Sequence, residues 1–334
     1  MSFSSYETVR RAIEFETPDR LPLKIDIPVD LSTEVLIKSD FAYVNWNWVG
    51  PGDRNQQETV DEWGCVWRRS KEDNMGQVIK HPLENWNDLA AFDWPDPDDP
   101  AFYEGMKKQF ASTDGKYVLT GIFMLLFERI HALRGFSNAL IDLYRERDKI
   151  EALADRIVDF DLRIIANLSE RFGNLIHGMW FTEDWGTQEN LMISPALWRE
   201  IFKPRYQSVF EAVHSAGWHV WLHSDGHINA IIEDLLALDV DVLNLQQPLV
   251  NGIDEIGKRF AGRVCFESTC DIQKTLPFGS PDEIRKESRQ LLDMWATSKG
   301  GFILSVDENA DDLQLPKENV ALMVETFLQH DPWL

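Results

Sequence analysis

The sequence predicts an α/β fold: a (β/α)8 barrel of the TIM type, with a Trp-rich hairpin and helix insertion in its N-terminal part. Two observations carry this expectation. From Lys116 onward, short apolar runs alternate with amphipathic helical stretches, the pattern of parallel strands joined by right-handed crossovers. Three of those runs also end in polar residues: Trp180-Phe181-Thr182-Glu183-Asp184-Trp185, Val220-Trp221-Leu222-His223-Ser224-Asp225-Gly226 and Val242-Leu243-Asn244-Leu245-Gln246-Gln247. Buried strands that stop in acid, imidazole or amide are where a barrel places its chemistry.

The elements follow in order. Tyr6, Val9, Ala12 and Ile13 share one helical face, and the helix they predict stops before Pro18. Leu21 to Pro28 reads as the first strand. Residues 30–115 lack barrel periodicity and form the expected insertion: Glu62 to Arg69 and Gly76 to Pro82 read as a β-hairpin, and Trp94 to Pro100 as a proline-rich connector. Tyr117 to Ile122 is a strand, followed by a long helical stretch through Leu140, Ile150, Leu153, Ile157, Phe160 and Ile164. After the strand at Met179, Ser194-Pro195 supplies an N-cap and a first-turn proline for a helix that runs to Gly217 with a kink at Pro204. Strands at His219 to Leu222, Val240 to Leu245, Arg263 to Glu267 and Gly301 to Ser305 alternate with helices at Ile228 to Leu238, from Ser280 and from Leu315. A single domain over 1–334 is expected, since one barrel with insertions accommodates this length.

A net charge of -23 argues against a nucleic-acid partner, whose phosphates need clustered Lys and Arg. The N-terminus lacks a basic segment leading into an apolar one, and no apolar run is long enough to span a bilayer, so a cytoplasmic protein is expected. Cys65, Cys265 and Cys270 lack metal-site spacing and read as buried thiols in a reducing compartment.

Residues just after barrel strands converge on one rim, however distant in sequence. His223 and Asp225 alternate along an extended segment and so point the same way, offering imidazole and carboxylate to one ion. The same pattern also suits a plain turn in which Asp225-Gly226 caps the next helix. Glu183 and Asp184 are paired carboxylates beside aromatic rings, a setting that raises one acid's pKa for general acid or base work. Phe181, Trp185, Gln246, Gln247 and Glu267 are the candidate substrate contacts. Glu128, Arg129, His131 and Arg134 read more readily as a solvated helical turn than as rim residues. Of the thirteen tryptophans, Trp46, Trp48, Trp63, Trp67, Trp86 and Trp94 lie in the insertion, either as an aromatic wall for a flat ligand or as packing of a loop-rich cap.

These residues resemble the uroporphyrinogen decarboxylase superfamily and, within it, the corrinoid-dependent methyltransferase branch. The resemblance covers most of the chain. It rests on Thr17-Pro18-Asp19-Arg20-Leu21-Pro22, on Glu183-Asp184-Trp185-Gly186-Thr187-Gln188 with Ser194-Pro195-Ala196-Leu197-Trp198, on His223-Ser224-Asp225-Gly226-His227-Ile228, on Gln246-Gln247-Pro248, and on Gly300-Gly301-Phe302-Ile303-Leu304-Ser305. The arginine-bearing Met-Arg-Gln-Ala-Gly-Arg segment by which porphyrinogen decarboxylases hold substrate carboxylates does not follow Arg20.

The resemblance implies a zinc site. Relatives that methylate a thiol hold zinc with a His-x-Cys pair and a later Cys, whereas here Asp225 stands in the first Cys position and Glu308 or Asp307 near the second. Oxygen ligands leave zinc a harder Lewis acid, suited to an ether oxygen. The Asp-Trp-Gly-Thr-Gln segment looks like that of the O-demethylase methyltransferase component. The implied reaction moves a methyl group from a methoxylated, aromatic substrate to the cobalt of a separate corrinoid protein, with Glu183 or Asp184 handling the proton. The corrinoid is expected on that partner, and a homodimer is expected by the same resemblance. Two other readings remain open: a decarboxylase of a different acid, and a non-catalytic small-molecule-binding barrel.

Overall fold

The computed structural model describes residues 2–29, 31, 37–48, 56–69, 76–306 and 313–334. Its strands are β1 (Leu23–Ile25), β2 (Phe41–Tyr43), β3 (Glu58–Val60), β4 (Val66–Arg68), β5 (Gln77–Lys80), β6 (Tyr117–Ile122), β7 (Gly178–Thr182), β8 (His219–His223), β9 (Val242–Leu245), β10 (Cys265–Ser268) and β11 (Phe302–Val306). Eight of them form one parallel sheet in the order β1-β11-β10-β9-β8-β7-β6-β2, and β3-β4-β5 form a small antiparallel sheet. The large sheet is the expected TIM-type barrel. Its two edges meet at Asp40: Asp40 N donates to Leu23 O at 2.8 Å, and Leu23 N donates to Asp40 Oδ2 at 2.9 Å. Arg20 and the Ser5 hydroxyl, the latter at 2.6 Å, donate to the same carboxylate.

Alternation along the strands sorts the core into two layers. Phe41, Tyr117, Leu119, Trp221, Val242, Cys265 and Ile303 form the barrel interior, joined by Tyr43 and Trp180. Val118, Met179, Phe181, Val220, Leu222, Leu243, Leu245, Phe266, Phe302 and Leu304 face the surrounding helices. The N-terminal helix Ser5–Ile13 is capped by Ser4, whose hydroxyl accepts from Glu7 N at 3.2 Å. It inserts Val9 and Ile13 into the interior cluster and so plugs one end of the barrel. Side chains at the far ends of the strands are left to form the open mouth.

Several expectations change. The strand β2 lies inside 30–115 yet belongs to the barrel, so the extra material begins after Tyr43. The predicted hairpin is present as β4 and β5, with β3 added on its other side. It is fastened from within by the Asp61 carboxylate, which accepts from Trp63 N, Cys65 N, Trp67 Nε1 and Arg129. Trp46, Trp63 and Trp67 are buried in the packing of the cap, and Trp46 and Trp63 also line a small cavity with Trp48 and Phe123. The kink at Pro204 is a full break between helices Pro195–Ile201 and Lys203–Ser215, as the missing proline N–H dictates. All three cysteines are free and buried, and no helix among the described residues is long and apolar enough to cross a membrane.

Candidate active site

The same alternation decides which strand-end residues reach the mouth. His223 has the parity of Trp221, Asn244 that of Val242, Glu267 that of Cys265 and Thr182 that of Trp180, so all four turn inward. Glu183 and Phe181 have the opposite parity. Glu183 is fully buried behind the barrel, where it accepts from Leu126 N at 3.0 Å, from Phe127 N and from the Tyr206 hydroxyl. It therefore satisfies the first amides of helix Phe127–Arg134. Burial nevertheless pushes its pKa up to about 7 against these donors.

Phe181 packs on Phe210, and Trp185 stacks on Phe127 with centroids 4.2 Å apart while donating to the Tyr206 hydroxyl at 3.1 Å. Both are core residues of the helix layer, which corrects the expectation that they touch a ligand.

Asp184, next along the chain, does reach the mouth. Its Oδ1 accepts from Asp225 N at 2.8 Å and lies 3.7 Å from His223 Nε2. The loops after β7 and β8 that carry these acids are pressed together at two glycines. A Cβ on Gly226 would lie 2.3 Å from Gly186 O, one on Gly186 would lie 2.4 Å from His227 N, and Gly226 has φ of +78°. The Gly residues in the two segments are thus required by close backbone approach and, at 226, by the left-handed region.

His223 Nδ1 is hydrogen bonded to Asn244 Oδ1, which leaves Nε2 directed toward Asp184 and the mouth. Burial opposes charge on this imidazole, but Asp225, Asp184, the Asn244 oxygen and Glu128 outweigh it and raise its pKa to about 9. Burial raises Asp225 to about 6 despite the facing imidazole, with Asp184 adding to the rise. Gln247 also bonds the Asp225 carboxylate and accepts from Gln188 Nε2 at 2.6 Å, so Gln247 is a positioning residue. The Asp225 Oδ1 atom is buried without a hydrogen-bond partner. Gln246 lies apart, beside Thr269, Ile272 and Met323 in a cleft under the C-terminal helix Lys317–Gln329.

Sequence reasoning missed four members of the mouth. Glu128 is buried where the solvated-turn reading had it exposed, and accepts from Thr182 Oγ1 at 2.8 Å. Burial, with Asp184 and Glu183 adding, raises its pKa well above the usual carboxylate range. Asn244 is the second. Lys24 is the third: it bridges Asp26 at 3.2 Å and Glu267 at 3.1 Å, and Glu267 also accepts from Trp221 Nε1. Tyr43 is the fourth, with its hydroxyl 3.3 Å from Asp26 Oδ2. These contacts place Glu267 in the mouth. For Asn244, Lys24 and Tyr43 the only available signal was period-two parity extended past the apolar core of each strand.

Among the described residues no group of three or more His, Cys, Asp and Glu side chains is disposed to hold a metal. Asp307 and Glu308, the acids nominated as third ligand, lie outside the described residues. Two donors do fit an ion: an imidazole with Nε2 open, fixed from behind by an amide, and an unpartnered carboxylate oxygen of Asp225.

The structure is a TIM-type barrel whose mouth gathers acids around one oriented imidazole. Residues 69–330 match the family model "Uroporphyrinogen decarboxylase (URO-D)", and the chain belongs to that family. No curated protein matches it. Among solved structures it is similar to a methyltransferase from Methanosarcina mazei, with TM-score 0.67 and 13% identity over 98% of this chain and 99% of that one. It is also similar to an endo-beta-1,4-xylanase from Gloeophyllum trabeum, with TM-score 0.42 and 10% identity over 87% of this chain and 88% of that one. At 13% identity the likeness to the methyltransferase is one of fold alone.

Proposed function

We propose that this protein is a methyltransferase that moves a methyl group from a methoxylated, aromatic substrate to the cobalt of a separate corrinoid protein. The observation that carries the reading is His223, held through Nδ1 by Asn244 with Nε2 turned to Asp184 and the unpartnered Asp225 oxygen. The family membership and the fold shared with a methanogen methyltransferase support it.

In the transfer the methyl–oxygen bond breaks, the methyl group passes to the acceptor, and the ether oxygen keeps the electron pair and gains one proton. Glu128 is the group placed to supply that proton: burial favours its neutral form, and the Thr182 hydroxyl orients it. Asp184 stands 3.7 Å from His223 Nε2 and its charge bears on Glu128. Glu183, engaged behind the barrel, is left out of the chemistry. His223 and Asp225, with an acid at Asp307 or Glu308, are the residues that would hold zinc, which supplies Lewis-acid polarisation of an ether oxygen when bound.

The test mixes purified protein, a methoxylated aromatic compound and a reduced corrinoid protein, and follows the absorbance of methyl-cobalt. Turnover that His223→Ala abolishes supports the reading. The absence of methyl-cobalt formation with every donor and corrinoid partner tried would sink it.

A second reading is a decarboxylase of another acid, favoured by one observation: His223 and Glu128 sit together at the mouth beside Asp184, with the imidazole raised by its facing carboxylates and Glu128 raised by burial, a pair of groups suited to proton donation without a metal. Zinc content separates the two, because this reading needs no metal.

A further inference from the structure

A cavity under the cap is walled by aromatic rings and holds one unsatisfied acid. Trp46 and Trp48 follow β2, Phe123 follows β6, Trp63 comes from the cap, and Phe160 and Asp161 come from helix Arg147–Phe172. The rings are set against one another: Trp48 stacks on Phe123 with centroids 5.4 Å apart, and Trp63 meets Phe160 edge-on at 4.8 Å. Asp161 is 1% exposed, and its Oδ2 is buried without a hydrogen-bond partner. With its opening to solvent the space is about 250 Å³, and its enclosed part has room for a group about the size of a water molecule.

A buried carboxylate without a partner is costly, and proteins hold such groups with a cation or with several donors. Burial raises Asp161 well above the usual carboxylate range, with the Arg129 guanidinium acting the other way. That guanidinium is engaged elsewhere. It donates to Asp61 at 2.8 Å, lies 3.7 Å from Glu62 and sits over the Trp63 ring at 5.2 Å. Three carboxylates, those of Asp61, Glu62 and Asp161, are therefore gathered around one guanidinium, an excess of negative charge. Negative charge beside π faces selects a cation. A bare metal ion needs several oxygen ligands, which rings do not supply, whereas an ammonium group both donates N–H to a carboxylate and packs on aromatic faces.

We propose that this cavity binds the protonated amino group of a small alkylamine, with an N–H donating to Asp161 Oδ2 and the adjoining alkyl carbon against the aromatic rings. None of the residues lining it is assigned to methyl transfer, so the site does not rest on that reading.

The experiment is calorimetry in a sodium buffer of fixed ionic strength, comparing methylammonium chloride with methanol and with potassium chloride. The expected result is millimolar affinity for methylammonium, at least about tenfold tighter than for either of the others. Asp161→Asn keeps the shape, removes the charge and is expected to weaken methylammonium about tenfold. Methylammonium should also raise the Tm of the parent protein and not that of Asp161→Asn. Trp48→Leu removes one ring face at a partly exposed position, with an expected loss of about threefold, and decides the matter should Asp161→Asn fail to fold. Asp184→Asn, which takes a carboxylate from the mouth, is expected to keep the parent affinity. Methanol or potassium binding as tightly as methylammonium overturns the proposal, as does no binding up to about 100 mM. Full affinity in Asp161→Asn, or a loss in Asp184→Asn instead, overturns it too, the latter by placing the cation in the mouth.

Discussion

Asp40→Ala opens the seam of the barrel, and its cost follows from the contacts the carboxylate makes. The side chain accepts from Leu23 N at 2.9 Å, from Ser5 Oγ at 2.6 Å and from both ends of the Arg20 guanidinium. Leu23 is 8% exposed, so its amide loses an acceptor with little water to replace it, a penalty of about 1–3 kcal/mol. The Arg20 side chain is 34% exposed and recovers hydration, which discounts its ion pair to about 1 kcal/mol. Ser5 adds about 1 kcal/mol. The sum is about 3–5 kcal/mol. Asp40→Asn keeps an acceptor for Leu23 and is expected to cost about 1–2 kcal/mol. Urea unfolding followed by tryptophan fluorescence gives both values from the midpoint and slope. An Asp40→Ala cost below about 1 kcal/mol, or one no larger than that of Asp40→Asn, refutes the claim that this side chain holds the two edges together.

Three further outcomes are expected. Gly226→Ala meets both the Gly186 carbonyl and a φ of +78°, and should cost at least about 2 kcal/mol in stability while weakening ligand binding; a Tm unchanged within a degree would count against it. His131, packed between Phe127 and Phe136, is lowered by burial to about 4 with Arg129 adding. The neutral ring therefore contributes stability present above about pH 6.5 and lost as pH falls through 4, up to about 3 kcal/mol, and His131→Phe should flatten the unfolding midpoint against pH over that window. Glu183→Ala should lower Tm by several degrees yet leave the KM of the folded protein unchanged, whereas a preserved Tm with lost turnover would return Glu183 to the chemistry.

Much of this was legible because apolar runs of five or six residues with clear stops carry their own signal. The strands β6, β7, β8 and β11 are of that kind, as are the Ser194 and Ser280 caps, whose hydroxyls accept from Leu197 N and Glu283 N. The three-residue strand Phe41–Tyr43 gives no period, and pairing with β6 makes it a strand.

In the site, the rule that strand ends face the mouth was applied to runs of neighbours. A backbone of period two splits neighbours, so Asp184 reaches the mouth and Glu183 is turned behind it. The parity argument that singled out His223 and Asp225 also separates Phe181 from Trp180. Glu128 was illegible for a different reason. Its burial depends on Thr182, on Glu183 capping its helix, and on the packing around that helix, all contacts distant in sequence.

The pairing of Leu23 with Leu304 joins the first strand to the last, with Leu21 N also bonded to Asp331 at 2.7 Å. During synthesis the ribosome releases β1 long before its neighbour exists, so one flank of the nascent sheet waits with unpaired amides for nearly the whole chain to emerge. Truncations that remove β11 should for that reason give an open, sticky curl and not a smaller barrel.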